Sequence, residues 1–395
     1  MKGFVRNRGG VRQPNGSYRG GTWTAYWEEG KTPDGRRRQG SKGGFRTKGE
    51  ALEYLAAVQS AKQQGSYVQP VKLTFGQYLT ESWLPAQEKR LRHSSLSDYR
   101  DRINNYVLPT LGGIPLQDIN AAHLDRLYAD LLARGGGRGQ PLAPKTVRNV
   151  HAVISKALGA ATRKRLVTRN VTLDADPPKV PGPGEREMET WTPEELRLFL
   201  QAIGHHRLAA AYLLSASTGM RRGEVLGVRW SDLDLENATV SVRQTLISVR
   251  YEIMLSEPKT ARGHRTISLD PATVAVLRAH SEMQQADRDR HGEAYEDHNL
   301  VFARPDGRPI HPDYFSQTFD RTVKKLGLKK VRLHDLRHTY ATLALRAGVD
   351  PKTVSARLGH ATVAFTLDVY TKAVPQLDRE AASKIAGLIF GDRQA

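Results

Sequence analysis

The chain of 395 residues contains no cysteine. That one absence removes disulfides, thiolate zinc sites and cysteine nucleophiles together, and it suits a reducing cytoplasm. Long apolar runs are missing as well. No stretch approaches the ~20 residues needed to span a bilayer. The N-terminal MKGFVRNRGG carries charge with no apolar core behind it, so it does not read as a signal peptide. Acidic residues are in deficit: 41 Asp and Glu face 60 Lys and Arg, for a formal net charge of +19. A chain this basic is drawn to polyanions, with DNA or RNA ahead of an anionic membrane surface. Neither an internal repeat nor a low-complexity tract is visible.

What is present fits a globular protein: 39% hydrophobic and 26% charged residues, on a chain long enough for two or three domains. Residues 1–66 read as a small sheet followed by a helix. GTWTAYW (Gly21–Trp27) alternates bulky and small residues as a strand does, Pro33-Asp34-Gly35 marks a turn, and Arg36–Phe45 is the return. Thr47 and Glu50 have capping-box spacing before a helix whose apolar stripe is Leu52, Leu55 and Val58. Basic residues crowd this segment between Trp23, Tyr26 and Trp27. Arg36, Arg37, Arg38, Lys42 and Arg46 are the candidate DNA contacts, against the plainer reading of a solvated basic face over an aromatic core.

Residues 72–177 read as a helical bundle. Its stripes are Tyr99, Ile103, Tyr106 and Val107; then Leu124, Leu127, Tyr128, Leu131 and Leu132 behind Asn120 as a cap; then Val147, Val150, Val153, Ile154, Ala157 and Leu158. Residues 178–187, rich in proline and glycine, read as a linker. Residues 188–395 read as mixed and mainly helical. Thr192-Pro193-Glu194-Glu195 is a helix start, as are Asp270-Pro271 and Asp350-Pro351. Gly327 and Gly348 look like helix stops, and strands are expected in ATVSVRQT and RTISL.

Chemistry concentrates in this last segment. In LHDLRHTY (Leu333–Tyr340), His334, Arg337 and His338 fall at i, i+3 and i+4, on one helix face too polar for a core, with Tyr340 packed inside. The pattern alone means little, because about one His-x-x-Arg match is expected by chance in so arginine-rich a chain. His123-Leu124-Asp125-Arg126 is such a match, read as a solvated helix face. Company gives the later one weight. In STGMRRGEVLGVRW (Ser217–Trp230), Gly219 ends a helix and Arg221 opens the next, where N–H groups and a guanidinium can hold an anion; a salt bridge to Glu224 is the plainer reading. SEPKTARGHRTISL (Ser256–Leu269) reads as a hairpin with Lys259 near its tip. Leu358-Gly359-His360 precedes Tyr370 by about ten residues.

This ordered set resembles the tyrosine recombinases, the family of phage lambda integrase. Arg221 stands in the T-G-x-R-x-x-E context, Lys259 on the hairpin, His334 and Arg337 in H-x-x-R, and His360 in L-G-H before Tyr370. Gly263-His264 departs mildly, where a small residue followed by a basic one is common in the family. The resemblance covers the last segment with specific motifs and the others only by type. It implies an N-terminal β-sheet-plus-helix arm-binding domain, a helical SAM-like core-binding domain and a mixed α+β catalytic domain. It also implies roles. Tyr370 is the nucleophile, Arg221 and Arg337 hold the non-bridging phosphate oxygens, and His334 accepts a proton. Lys259 protonates the leaving oxygen, His360 bonds a phosphate oxygen, and Glu224 orients an arginine. No cofactor and no metal are expected, since arginines and lysine do the charge neutralisation. The expected partners are double-stranded DNA at core and arm attachment sites and a homotetramer joined through the C-terminal helix (Leu377, Ala381, Ile385, Leu388 and Ile389). An excision factor and a host DNA-bending protein are candidate accessories, and the expected setting is the prokaryotic nucleoid. Three competitors remain. A type IB topoisomerase shares the chemistry but works alone, a DNA-binding regulator of the same fold lacks the reaction, and an RNA-binding protein fits the charge but not the motif order.

Overall fold

In a computed structural model of the chain, the alternating stretch around Trp23 is the middle strand of a three-stranded antiparallel sheet. The structure describes residues 3–31, 34–136, 139–180, 189–258, 263–359, 362–363 and 385–386. Two compact units divide the chain, Met1–Val180 and Pro181–Ala395.

The first unit opens with β1 (Gly3–Arg8), followed by the short pair β2 (Val11–Arg12) and β3 (Tyr18–Arg19), then β4 (Thr22–Lys31) and β5 (Arg37–Phe45). The main sheet has the order β1-β4-β5, with Phe4 opposite Tyr26 and Tyr26 opposite Ser41. Period-two alternation puts Ala25 and Trp27 against helix α1 (Lys48–Gln63), where Ala51, Leu55 and Val58 complete a small core. Leu52, expected in that stripe, is 46% exposed, and Ala51 takes the buried place. A small side chain lets the helix approach the sheet closely, which a leucine there would prevent. The capping box is half formed. Thr47 accepts from the Glu50 N–H at 3.2 Å, while the Glu50 carboxylate accepts from the Arg46 N–H at 3.0 Å instead of closing on Thr47.

The helical part runs through α2 (Phe75–Gln77), α3 (Leu84–Glu88), α4 (His93–Arg102), α5 (Leu108–Leu111), α6 (Ala121–Arg134) and α7 (Pro144–Arg163). Wider π turns at Tyr78–Trp83 and Ile103–Val107 lead into α3 and α5, each with a proline in its first turn, Pro85 and Pro109. Proline lacks the N–H and crowds the carbonyl four residues back, so the helix relaxes into a wider turn there. The sequence stripes meet in one core: Ile103 and Val107 with Leu124, Leu127, Tyr128, Val147, Val150, Ile154, Ala157 and Leu158. Asn120 caps α6 by accepting from the His123 N–H at 3.1 Å. In the chance match His123–Arg126, Arg126 is exposed, while Leu124 is buried and the Asp125 carboxylate accepts from the Asp176 N–H at 2.8 Å, so these two help to anchor the fold.

The second unit contains α8 (Pro193–Ala202), α9 (Ala209–Thr218), α10 (Arg222–Leu226), β6 (Leu233–Asp234), β7 (Thr239–Val242), β8 (Thr245–Val249), β9 (Glu252–Ser256), β10 (Arg265–Ser268), α11 (Pro271–His291), α12 (Pro312–Leu326), α13 (Asp335–Arg346) and α14 (Pro351–Leu358). Thr192 and Glu195 form a complete capping box on α8. The expected hairpin over Ser256–Leu269 is corrected. β9 pairs with β8, whereas β10 pairs with β7 in a separate sheet of order β10-β7-β6. The true hairpin turns at Arg250 and Tyr251, both at positive φ (52° and 67°), with none of the glycine or asparagine that announces such a turn. Lys259 lies outside the described residues.

An aromatic cluster of Trp191, Phe199, Tyr212, Phe315 and Phe319 holds α8, α9 and α12 together; Tyr212 and Phe315 stack at 4.3 Å, and the Tyr212 hydroxyl donates to the Phe315 carbonyl at 2.6 Å. Phe319 has no exposed surface. Phe319→Ala is expected to lower stability by about 3–5 kcal/mol, read as a lower urea midpoint followed by tryptophan fluorescence, and an unchanged midpoint would contradict this packing.

Candidate active site

Helix α9 ends at Gly219, whose left-handed φ of 67° turns the chain toward α10. A Cβ there would lie 2.5 Å from Leu358 Cδ2 and 2.6 Å from Tyr340 Cδ1, so the turn is pressed against both α13 and the end of α14. Arg337 locks this meeting. Its side chain is buried, with Nη1 donating to the Gly219 carbonyl at 2.8 Å and Nη2 to the Leu358 carbonyl at 2.6 Å. The expectation that His334, Arg337 and His338 share a face too polar for a core is therefore corrected: Arg337 is buried. Carbonyls at two helix C-termini are hydrogen-bond acceptors without partners of their own, and a buried guanidinium is the side chain that can satisfy two at once.

His334 occupies the N-cap position of α13 and is exposed, one turn before the half-buried His338. The two rings meet edge to face, 5.3 Å apart at 89°. The His334 pKa is lowered, by desolvation first and then by the charges of Arg337, Arg221 and Arg332, with Asp335 opposing. His334 thus lies within electrostatic reach of both arginines that the motifs single out. His338 is pushed down to about 4 by desolvation and by His334, Arg337 and Arg332, so it is neutral at pH 7. Asp335 is fixed beneath the pair, accepting from Arg332 N–H at 2.8 Å and from its guanidinium at 2.9 and 3.1 Å.

Arg221 is the N-cap of α10. It does form the ion pair with Glu224, Nη1 to Oε1 at 2.8 Å, and its backbone N–H donates to Oε2 at 2.9 Å. The arginine side chain keeps 42% of its surface exposed while Glu224 keeps 5%. Burial works to raise the Glu224 pKa, but hydrogen bonds and charge from Arg265, then Arg221, outweigh it and hold the carboxyl below its ordinary range. Arg265 escaped the sequence reading. Its side chain is as buried as Glu224, donating to the carboxylate at 2.8 and 3.3 Å and through Nε to the Arg357 carbonyl at 2.6 Å. The signal was there: in β10, Arg265 and Ile267 share the inward face and Thr266 and Ser268 the outward one. An arginine at an inward strand position needs a buried partner.

His360 and Tyr370, like Lys259, lie outside the described residues. In the first unit Arg36, Arg37, Arg38, Lys42 and Arg46 line β5 and its ends, all exposed. Arg36 is 3.5 Å from Asp34, Arg38 3.6 Å from Glu29, and the Lys42 ammonium sits 4.6 Å over the Tyr54 ring. The open sheet face presents Phe4, Arg6 and Arg8, with Phe4 stacked on Tyr26 at 4.9 Å. Among the described residues no group of three or more His, Cys, Asp or Glu could hold a metal ion, and no helix is long and apolar enough to cross a membrane.

The phage integrase family profile matches residues 189–376, its N-terminal SAM-like domain 74–132, and an arm DNA-binding domain 17–62. Over 358 residues the chain is 26% identical to a tyrosine recombinase XerC-like protein of Caldanaerobacter subterraneus subsp. tengcongensis, covering 86% of this chain and 88% of that one. It is 28% identical over 313 residues to the integrase of Mycobacterium phage D29, covering 78% and 77%. Among solved structures, the Tn1549 transposon integrase in complex with circular intermediate DNA aligns with a TM-score of 0.62 at 21% identity, over 80% of this chain and 100% of that one. A lambda integrase tetramer bound to a Holliday junction aligns with 0.57 at 17%, over 93% and 94%. At such identities the structures speak for the fold alone, which is that of the tyrosine recombinases. With the profiles and relatives added, the chain belongs to the phage integrase family and is a site-specific recombinase.

Gly219→Ala is expected to cost at least about 1–2 kcal/mol from its backbone conformation alone, with contact against Tyr340 and Leu358 added. Because the same turn seats Arg337, DNA cleavage should fall further than the thermal unfolding temperature suggests. Full cleavage by a destabilised variant would show that the close approach is structural only.

Proposed function

We propose that the chain cuts and rejoins double-stranded DNA at attachment sites by transesterification, integrating and excising a phage or mobile element. Residues 1–66 take arm sites and residues 72–177 the core site, with 178–187 as the linker and 188–395 as the catalytic domain. Tyr370 attacks the scissile phosphorus, forms a 3′-phosphotyrosyl bond and releases a 5′ hydroxyl, and a hydroxyl from another strand reverses the step. One ester replaces another, so no nucleotide is hydrolysed.

The observation that carries this reading is the double grip of Arg337 on the Gly219 and Leu358 carbonyls. It brings the segment of Arg221, the H-x-x-R helix and the turn before His360 to one place. There Arg221 and Arg337 face the non-bridging oxygens, whose negative charge grows as the phosphorus is attacked. Ionising a free tyrosine at pH 7 costs about 4 kcal/mol, so proton loss is coupled to attack. His334, with its lowered pKa, is in the neutral form that can accept the proton. Lys259 donates to the leaving 5′ oxygen, His360 bonds a phosphate oxygen, and Glu224 orients Arg221. The charge of +19 supports binding along the duplex, and Arg36, Arg37, Arg38, Lys42 and Arg46 supply phosphate contacts in the arm domain.

Assembly follows the same logic. Four copies act together, each docking its C-terminal helix on a neighbour. Of the stripe Leu377, Ala381, Ile385, Leu388 and Ile389 only Ile385 is among the described residues, and it is 55% exposed. The tetrameric state of the lambda integrase neighbour supports this arrangement. The setting is the prokaryotic cytoplasm, on the nucleoid, with an excision factor and a host DNA-bending protein as accessories.

Tyr370→Phe should bind core DNA normally and leave no covalent adduct on a nicked suicide substrate; an adduct from that variant would remove Tyr370 as nucleophile. Deleting residues 1–66 should spare core cleavage and abolish arm binding in a mobility-shift assay. Unchanged arm affinity would reassign that segment.

A further inference from the structure

Glu224 is one carboxylate shared by two arginines of unequal burial. Arg265 keeps 7% of its side-chain surface and Arg221 42%, so Arg265 is the inner partner and Arg221 the outer one. Arg265 meets the carboxylate with both terminal nitrogens, at 2.8 and 3.3 Å, whereas the Arg221 side chain meets it with one, at 2.8 Å. We propose that Arg265 is a positioning residue whose charge neutralises Glu224, leaving the charge of Arg221 available to the scissile phosphate. The inference rests on the proposed role of Arg221 at that phosphate.

The electrostatics follow from counting. A buried carboxylate facing two guanidiniums leaves one positive charge over, and that charge sits on the more exposed group. Without Arg265, Glu224 would draw on Arg221 alone, and the pair would present no net charge to a phosphodiester. Losing half of a buried ion pair is also costly, so Glu224 would pull the Arg221 guanidinium inward to replace the missing partner. Arg265 carries a second constraint. Its Nε–H holds the Arg357 carbonyl at 2.6 Å, next to the Leu358 carbonyl that Arg337 holds at the same distance. Its Nη1 also reaches the Gly263 carbonyl at 3.2 Å, at the edge of the segment that bears Lys259. The inner arginine therefore sets both the charge on Arg221 and the turn that leads to His360.

The test measures the rate of covalent adduct formation by the full chain on a nicked suicide duplex. The scissile linkage is either the ordinary phosphate or a methylphosphonate, in which a methyl group replaces one non-bridging oxygen and the charge is gone. A neutral linkage does not need a cation. Arg265→Gln is expected to slow cleavage of the phosphate roughly 10–100-fold, with core-site affinity near wild type, and to come within a few-fold of wild type on the methylphosphonate. Arg265→Lys, which keeps the charge, should recover most of the rate on phosphate. Arg221→Gln serves as the reference and should show the same relief on the neutral linkage. Relief for Arg221→Gln without relief for Arg265→Gln overturns the inference alone. No relief for Arg221→Gln overturns the phosphate role of Arg221, and the inference with it. Should Arg265→Gln not fold, Arg265→Lys decides: a loss as large on methylphosphonate as on phosphate means that Arg265 is a structural residue only.

Discussion

The catalytic unit depends on a buried guanidinium. Arg337 replaces water for two main-chain carbonyls that stand at the ends of separate helices, one at Gly219 and one at Leu358. Among the described residues no backbone N–H donates to either oxygen, and leaving one unpaired in a dry interior costs on the order of 1–3 kcal/mol. The arginine is thus required by the fold before any substrate arrives. Its plane is set by two main-chain carbonyls, so its side chain is already ordered before any anion arrives.

Around that fixed point the charges are arranged in tiers. Glu224 and Asp335 are both buried carboxylates, each answered by arginine: Arg265 and Arg221 for the first, Arg332 for the second. Burial first, and then the excess of positive over negative charge at this centre, depresses the affinity of His334 and His338 for protons. Neutral imidazoles among arginines are what a proton-accepting site beside a phosphate requires, because a protonated histidine there would add to a repulsion already present. An excess of this sign also attracts a phosphodiester.

Much of this was legible beforehand. Helix starts with a side chain suited to the cap, Asn120, Thr192, Asp270 and Asp350, stand where the spacing put them, and the stripes of α6 and α7 face inward as their period requires. Local rules decide such features, and local sequence records them. Three features escaped because something distant decides them. Leu52 lost its place to Ala51 because the sheet, not the helix, sets how closely α1 can approach. The Arg250–Tyr251 turn carries no turn residue, since the pairing of β8 with β9 imposes the backbone it needs. The burial of Arg337, on a face that reads as too polar for a core, escaped because nothing within three or four positions reveals two carbonyls contributed by other helices. Arg265 was the nearest miss, readable from strand alternation once β10 had been fixed.

The wide turn at Tyr78–Trp83 has a bearing on the helical part that its local geometry does not suggest. Successive residues of an α-helix are separated by about 100° of rotation, and a π turn takes in one residue more before the next bond closes. Everything beyond it is therefore rotated back by one step. Phe75 before the turn, Tyr78 and Leu79 within it and Leu84 after it are all buried in the same core, yet on an unbroken helix Leu84 would stand on the far side from Phe75. The extra residue works as a phase correction: it lets a helix carrying two mismatched apolar registers turn both into one core, with Pro85 marking where the second register begins.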